Sequence, residues 1–246
     1  MSRATTLEPA AVDRYTASRP APAGRRTAPK RARGLAIGVS MPKALTRDEL
    51  QAQTRELVLQ AAETVFLQKG FHATTVAQIA AEAGRTQGSI YSNFESKDAL
   101  CQQLLRIHYE GWLTQVALAV MAAESTAEKL EIVETKWRVL SGETDWIGLT
   151  AEYLLAVRHD PEQAQLIREN VAGLQAGVKA VFAGQLEAEG IAALDHPILD
   201  DAVAAIVATG MGLVVNHTLG LVEPDQSTSV FMQTLETWRD RLSSLG

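Results

Sequence analysis

Apolar side chains recur along most of this chain at intervals of three and four residues, the period of an α-helix that buries one face. Leu57, Ala61 and Val65 form one such face near the start of the pattern. No segment shows convincing alternation of apolar and polar residues, which would indicate a half-buried strand. The sequence therefore predicts an all-α chain.

The starts and ends of the predicted helices are marked by capping residues. Three pairs have the spacing of a capping box, in which two side chains satisfy the first backbone amides of a helix; they are Thr46/Glu49, Thr75/Gln78 and Ser125/Glu128. Asp160 followed by Pro161 and Gln163 predicts a further start. Gly70 and Gly84 can adopt the left-handed conformation that ends a helix.

The pattern of residues 75–100 predicts two short helices joined by a turn and followed by a third helix. Val76 and Ile79 give the first helix an apolar stripe, and Gly84 lets the chain turn sharply. The second helix surrounds one apolar anchor, Ile90, with small polar, amide and phenol side chains. Such groups can read base edges and contact phosphates, so this stretch predicts a helix-turn-helix whose second helix enters a major groove.

Residues from about Arg47 to Leu105 resemble the DNA-binding domain of the TetR family of one-component transcriptional regulators. The specific positions are Ala83-Gly84, Gly88, Tyr91, Phe94, Ser96-Lys97 and Leu100. Arg85 departs from the family pattern, which usually has valine or another apolar residue there, but its aliphatic stem can still cover apolar surface. The resemblance implies a homodimeric regulator, most often a repressor that an apolar or amphipathic small molecule releases from a palindromic DNA operator.

The resemblance and the side-chain chemistry together predict ten DNA-contacting residues. They are Thr75, Arg85, Thr86, Gln87, Gly88, Ser89, Tyr91, Ser92, Asn93 and Lys97. Thr75, Tyr91 and Lys97 are expected to contact phosphates. Gln87 has a bidentate amide suited to adenine, and Ser89 and Ser92 are expected to assist it, while Asn93 suits either a base or a phosphate.

Composition divides the chain into a basic arm at 1–45, a DNA-binding domain at 46–105, and a ligand-binding and dimerisation domain at 106–246. Five of the eight prolines fall in the first segment, which lacks an apolar period and is predicted to be disordered. Its cluster Arg25 to Arg33 fits an arm along phosphates or in a minor groove, and equally a solvated tail. A third interpretation is that translation starts at Met41.

The net charge of −6 is distributed unevenly along the chain. Residues 1–43 carry +7, residues 44–110 carry −2, and residues 111–246 carry −11. The acidic part should therefore face away from DNA. One cysteine fits a reducing compartment, and no apolar run is expected to be long enough to span a bilayer, so a cytoplasmic protein without membrane contact is expected.

The last two predicted helices favour assembly with a second copy. Val203, Val207, Gly210 and Val214 recur at helical spacing, while Ile206 lies on a second apolar side. A helix that is apolar on more than one face must be buried on more than one face. Together with the resemblance, this predicts a homodimer through 198–221 and 227–243, the alternative being ordinary core contacts within one subunit.

Aromatic side chains concentrate in the middle helices. As small-molecule sites are mostly apolar with a few polar anchors, these residues are pocket candidates; for each one, simple core filling is the alternative. The candidates are Tyr109, Trp112, Trp137, Trp146, Tyr153 and Phe182.

Catalysis has little support in the sequence. The five histidines show neither metal-ligand spacing nor a nearby nucleophile motif, and Cys101 has no basic neighbour to activate it. We therefore expect no catalytic residue, metal or cofactor. Two alternatives to a ligand-controlled regulator stay open: a DNA-binding protein of the same fold that acts architecturally or recruits partners, and an enzyme that merely contains a helix-turn-helix.

Overall fold

The structure, a computed structural model, describes residues 46–188 and 197–244. Within these ranges the chain forms nine helices and no strand, which confirms the all-α prediction: α1 (Arg47–Ala73), α2 (Val76–Glu82), α3 (Gln87–Tyr91), α4 (Lys97–Ala122), α5 (Thr126–Gly142), α6 (Thr144–Val157), α7 (Pro161–Ala188), α8 (Pro197–Thr218) and α9 (Pro224–Ser243). The predictions about residues 1–45 lie outside the described residues.

The predicted caps explain where the first helices begin. Thr46 and Glu49 form a complete capping box at the start of α1, and Thr75 and Gln78 form another at the start of α2. At α5 the box is incomplete: Ser125 accepts from the N–H of Glu128, but the Glu128 carboxylate accepts from the N–H of Glu124 instead of that of Ser125. The carboxylate thus reaches one residue further back than predicted.

The first hydrophobic core joins the three helices of the predicted DNA-binding domain to α4 and α6. Its buried side chains include Val58 and Phe66 of α1, Ile79 of α2 and Ile90 of α3. Tyr153 of α6 belongs to the same cluster. The α4 helix also runs without a break across residue 105, where the sequence placed a domain boundary. The two predicted domains are therefore joined by a continuous helix and a shared core.

Two further clusters hold the remaining helices together. One includes Leu186 of α7, Leu199 of α8 and Leu242 of α9. The other is built around Trp137 of α5, which stacks on Phe231 of α9 with ring centroids 3.9 Å apart. Since α8 packs against α9, α7 and α6, it lies at the centre of this part of the fold.

By length and composition, α8 is also apolar enough to cross a membrane, with a mean hydropathy of 1.9 over its best window. This differs from the sequence-based expectation, because residues 202–215 of α8 are apolar except for Thr209. A single such helix is weak support for a membrane span, since the core helix of a globular domain passes the same test.

Candidate nucleic-acid interface

The geometry of the helix-turn-helix depends on two threonine caps and one glycine. The Thr75 Oγ1 accepts from the N–H of Gln78, and the Gln78 Oε1 accepts from the N–H of Thr75 at 3.0 Å. Gly84 has a φ of 61°, a left-handed value that ends α2. Thr86 then accepts from the N–H of Ser89 at 3.1 Å and starts α3. The predicted helix-turn-helix is therefore present at the predicted residues.

The α3 helix presents a polar surface on a single buried anchor. Ile90 is buried in the first core, while the side chains of Gln87 and Ser92 are exposed, and Tyr91 is 54% exposed. The remaining predicted contacts are exposed or half-buried on the same module: Thr75, Arg85, Thr86, Gly88, Ser89, Asn93 and Lys97. The structure thus gathers all ten predicted residues around α2, the turn, α3 and the start of α4.

Not every polar group on this surface is free for DNA. The Ser92 hydroxyl donates to the Ser89 carbonyl at 2.8 Å, and the Asn93 Nδ2 donates to the same carbonyl at 2.8 Å. Both side chains therefore close the end of α3. Gln87 and Tyr91 are the exposed amide and phenol of this helix, so they are better placed to approach a duplex.

Arg85, the departure from the family pattern, points outward. Its side chain is exposed, and its Nη1 lies 3.3 Å from the carbonyl of Gly84. The backbone N–H of Arg85 donates to the carbonyl of Ala80 at 2.9 Å, so the turn closes normally. An arginine is tolerated here because the side chain does not enter the core.

Lys97 has a structural contact that the sequence analysis missed. Its Nζ donates to the carbonyl of Phe71 at 2.8 Å and to that of Thr74 at 3.1 Å, and it lies 4.1 Å above the Phe71 ring. The ammonium thus joins the start of α4 to the end of α1, immediately before Thr75. Since two of its three N–H groups already have acceptors, the third is left for a phosphate.

Arg55 of α1 is a second residue that the sequence analysis did not single out. Its Nη1 donates to the backbone carbonyl of Asn93 at 2.8 Å, and its guanidinium lies 4.2 Å from the centre of the Phe94 ring. The two residues are 38 positions apart in the sequence. No local pattern reveals such a pair, because the contact exists only after α1 and α3 have packed.

The six aromatic pocket candidates do not come together around one site. Tyr153 is buried in the first core, edge-on to Phe71, whereas Trp137 lies in the third cluster against Phe231. Phe182 packs against the second and third clusters. For Trp137 and Tyr153 the core-filling alternative describes the observed contacts, as both are almost completely buried among protein side chains.

Tyr109, Trp112 and Trp146 are the candidates beside polar groups. Tyr109 Oη lies 2.9 Å from Thr150 Oγ1, and the Trp146 ring stacks on the His108 ring with centroids 3.8 Å apart. The Nε1 of Trp112 is buried and has no hydrogen-bond partner among the residues that the structure describes. A buried donor without an acceptor is costly, so this indole is a place where a ligand oxygen would be stabilising.

His108 and Glu143 lie within hydrogen-bonding distance of each other next to this cluster. The Nε2 of His108 lies 3.0 Å from the Glu143 Oε2, joining α4 to the residue between α5 and α6. Burial lowers the pKa of His108, and the nearby Glu143 carboxylate opposes that shift only in part. The neutral imidazole is therefore the favoured form in the folded protein.

Among the described residues, the acidic, histidine and cysteine side chains do not point to metal or thiol chemistry. Within the described ranges, no three histidine, cysteine or acidic side chains are grouped to hold a metal ion. Cys101 is buried in the first core, and burial raises the pKa of its thiol to about 12, which keeps it protonated.

The fold and this surface define a helix-turn-helix module carried on a larger helical domain. The sequence profile of bacterial regulatory proteins of the tetR family matches residues 58–104. The repressor BepR of Brucella suis is 46% identical over 54 residues, 22% of this chain and 26% of that protein. The repressor Rv1474c of Mycobacterium tuberculosis is 26% identical over 179 residues, 73% of this chain and 86% of that protein.

Solved structures extend the likeness beyond the matched domain. A TetR-family transcriptional regulator from Streptomyces coelicolor shares the fold with a TM-score of 0.58 and 19% identity, over 78% of this chain and 97% of that one. FadR of Bacillus subtilis in complex with stearoyl-CoA gives a TM-score of 0.58 and 20% identity, over 74% and 96%. Residues 58–104 thus match the DNA-binding part of the tetR family, and the described chain shares the fold of these solved regulators. The match to BepR spans about a quarter of that protein's length.

Proposed function

We propose that this protein is a homodimeric transcriptional regulator of the cytoplasm that binds a palindromic DNA operator and acts as a repressor. The observation that carries the proposal is the exposed polar face of α3, supported by the buried Ile90 and framed by capped helix starts at Thr75 and Thr86. A short helix of this kind fits a major groove, and two copies related by a twofold axis would read the two halves of a palindrome.

Each contact has its own chemistry. Gln87 reads an adenine edge through its amide, with Ser89 beside it. Tyr91 binds a phosphate through its hydroxyl, and Thr75 binds one at the start of α2. Lys97 contributes its remaining N–H to a phosphate. The net charge of residues 44–110 is −2, so the folded DNA-binding part attracts DNA locally through these side chains instead of through a broad positive field.

The dimer forms through α8 and α9. Met211 and Val215 of α8 and Leu219, the residue that follows it, recur every four residues and are 45, 42 and 66% exposed in the protomer. Val230 adds an exposed apolar side chain on α9. Because soluble proteins bury most large apolar patches, a second copy of the same two helices is the partner that covers this stripe.

The regulating ligand is an apolar or amphipathic small molecule that binds beside Tyr109, Trp112 and Trp146. The buried indole N–H of Trp112 favours a ligand with an acceptor oxygen. The related fold of FadR was solved with stearoyl-CoA, which makes long-chain acyl-CoA the first probe to use. Since α4 carries Tyr109 and Trp112 and also begins at Lys97, a ligand that moves α4 would change the position of the DNA-contacting end.

DNA selection from a random duplex pool tests the main proposal. The full chain should enrich a palindrome, and Gln87→Ala should lose discrimination at one base pair per half-site, at a cost of about 1–3 kcal/mol. Gln68→Ala, an exposed glutamine of α1, is the matched control and should bind like the original protein. Failure to enrich any sequence would reject the proposal, and equal loss on all sequences by Gln87→Ala would reject base reading by that residue.

A titration with stearoyl-CoA tests the ligand. If release is ligand-controlled, the acyl-CoA should raise the thermal unfolding temperature and lower affinity for the selected duplex, and Trp112→Phe should weaken both effects because it removes the indole N–H together with part of the ring area. No response to stearoyl-CoA or to a wider set of amphipathic molecules would favour the second candidate, a DNA-binding protein without an effector. The division of the six aromatic candidates between separate core clusters is the observation in favour of that alternative.

A further inference from the structure

We infer that Arg55 is a positioning residue for DNA recognition: it fixes the C-terminal end of α3 on α1 and so sets the angle at which Gln87 meets the bases. This inference rests on the proposed function. The contact consists of a hydrogen bond from Arg55 Nη1 to the Asn93 carbonyl at 2.8 Å and of the guanidinium 4.2 Å from the centre of the Phe94 ring.

The α3 helix needs such a contact because it is too short to hold itself in place. It spans Gln87–Tyr91, five residues, and isolated helices of this length are not stable in water. Apolar burial holds it through Ile90 and the following Phe94. The α3 helix also packs on α2, and Arg55 adds a directional contact from α1 at its C-terminal end.

The space between α1 and α3 is not closed by apolar side chains. A cleft of about 350 Å³ opens there, lined by Asp48, Gln51, Ala52, Arg55, Ser92 and Asn93. The Asn93 Oδ1 is buried at the same place without a hydrogen-bond partner among the described residues. Since dispersion contacts are lacking across a cleft, the hydrogen bond and the cation–π contact of Arg55 are what restrain the end of α3.

The chemistry of the contact suits arginine in particular. The carbonyl of Asn93 follows the end of α3, where the helix dipole is negative, and a positive donor is favourable there. The planar guanidinium can donate along its edge while its face covers the Phe94 ring, which a lysine ammonium cannot reproduce. Arg55 is half-buried, so the contact is partly shielded from water.

The test compares Arg55→Lys and Arg55→Gln with Arg168→Lys, an exposed arginine of α7, in the full chain. Affinity is measured for the duplex selected by the original protein and for a scrambled duplex of equal length, over a range of salt. We expect Arg55→Lys and Arg55→Gln to lose about tenfold or more on the selected duplex and little on the scrambled one, with an unchanged salt slope. Arg168→Lys should match the original protein on both.

Three other results would overturn the inference. In the first, Arg55→Lys binds like the original protein, whereas Arg55→Gln loses affinity equally on both duplexes and has a salt slope shallower by about one unit. Arg55 would then be a direct phosphate contact. Unchanged binding by both variants would make it a stability residue only. Loss on both duplexes in proportion to the unfolded fraction, measured by circular dichroism, would lead to the same conclusion.

If the Arg55 substitutions unfold the protein, Phe94→Leu tests the same contact from its other side. Phe94→Leu removes the ring beneath the guanidinium and retains an apolar side chain and the Asn93 carbonyl. It should show the same selective loss on the selected duplex, and equal affinity to the original protein would overturn the inference. If the original protein selects no duplex at all, the proposed function fails, and that outcome is distinct from any result with these variants.

Discussion

The carboxylate of Glu152 on α6 occupies the space that a side chain at Gly70 on α1 would fill. A Cβ at Gly70 would lie 2.5 Å from the Glu152 Oε1, and the Oε2 accepts from the backbone N–H of His72 at 3.3 Å. Gly70 also has φ 77° and ψ 172°, a combination that is nearly restricted to glycine. The end of α1 is thus shaped both by its own backbone and by a carboxylate from the helix packed against it.

Gly70→Ala should therefore be more destabilising than an alanine at another glycine of positive φ. Backbone strain should cost about 1–3 kcal/mol, and displacement of the Glu152 carboxylate should add to it. Gly84→Ala is the matched control, because Gly84 has φ 61° but no atom within 4 Å of its Cβ position, so strain alone should cost about 1–2 kcal/mol. Urea unfolding measures both, and equal costs would show that Glu152 moves aside freely.

Lys97→Met should reduce stability as well as DNA binding. The substitution removes the bonds from the ammonium to the Phe71 and Thr74 carbonyls, at a cost of about 1.5–3 kcal/mol, while keeping the apolar stem. Lys69→Met, an exposed lysine of α1, should change stability by no more than about 0.5 kcal/mol. Urea unfolding gives the comparison, and an unchanged midpoint for Lys97→Met would contradict the structural role.

The DNA affinity of the same Lys97 variant tests its predicted phosphate contact separately. If the third N–H binds a phosphate, the slope of log affinity against log salt should become shallower by about one unit. A weaker affinity with an unchanged slope would mean that Lys97 acts only by holding the α1–α2 turn in place.

Local signals in the sequence were sufficient for the parts of the site that are close together in the chain. Thr75, Gly84 and Thr86 act within three or four residues, so their roles as caps and turn follow from spacing alone. The contacts of Arg55, Lys97 and Glu152 connect positions 38, 26 and 80 residues apart. They depend on how helices pack, and no periodicity in the sequence encodes a specific pair across that distance.

The aromatic residues illustrate a different limit. Trp137 and Trp112 both keep a buried indole N–H without a hydrogen-bond partner among the described residues, yet Trp137 stacks on Phe231 in the third cluster. Apolar composition identifies which residues leave water, but it does not distinguish a side chain that fills the core from one that lines a cavity. Making that distinction requires knowing which side chains pack around each aromatic residue in the folded protein.

If the protein forms the proposed dimer, Val215→Glu or Leu219→Glu should separate it into folded monomers. Both side chains are exposed in the protomer, so a charge there is harmless until α8 meets its partner, where it would be buried unpaired. Val214 and Trp238, where the sequence also predicted subunit contacts, pack against the third cluster of the same protomer, so substitutions there would disturb the protomer too.

Light scattering with circular dichroism measures that separation. Leu155→Glu provides the control, because Leu155 is a 60% exposed leucine of α6 outside the predicted interface. It should leave the mass of a dimer unchanged. Dimers of normal mass for both α8 variants would remove α8 from the interface.

Cys101 should resist thiol reagents while the protein is folded. The thiolate is the reactive form, and burial raises the pKa of this thiol to about 12, so almost none is ionised at pH 8. Alkylation by iodoacetamide should therefore be slow in buffer and fast in urea beyond the unfolding midpoint. Rapid alkylation of the folded protein would instead support a redox-sensing role for Cys101.

The His108–Glu143 pair should make stability depend on pH on the acid side of neutrality. Burial lowers the pKa of His108 below 6.5, so the unfolded chain takes up a proton at this residue more readily than the folded chain does. This contribution is complete above pH 6.5 and is lost as the pH falls through the lower pKa of the folded state. Substitution with glutamine keeps a planar polar side chain against Trp146 and removes the titration.

Urea unfolding of the original protein and of His108→Gln at several pH values between 7 and 5 isolates this effect. Other acidic groups titrate in both proteins, so only the difference between the two unfolding free energies reports on His108. That difference should shift in favour of the glutamine variant as the pH falls. A constant difference across the range for His108→Gln would mean that His108 is as easily protonated in the folded chain as in the unfolded one, and that the Glu143 carboxylate fully offsets the cost of burial.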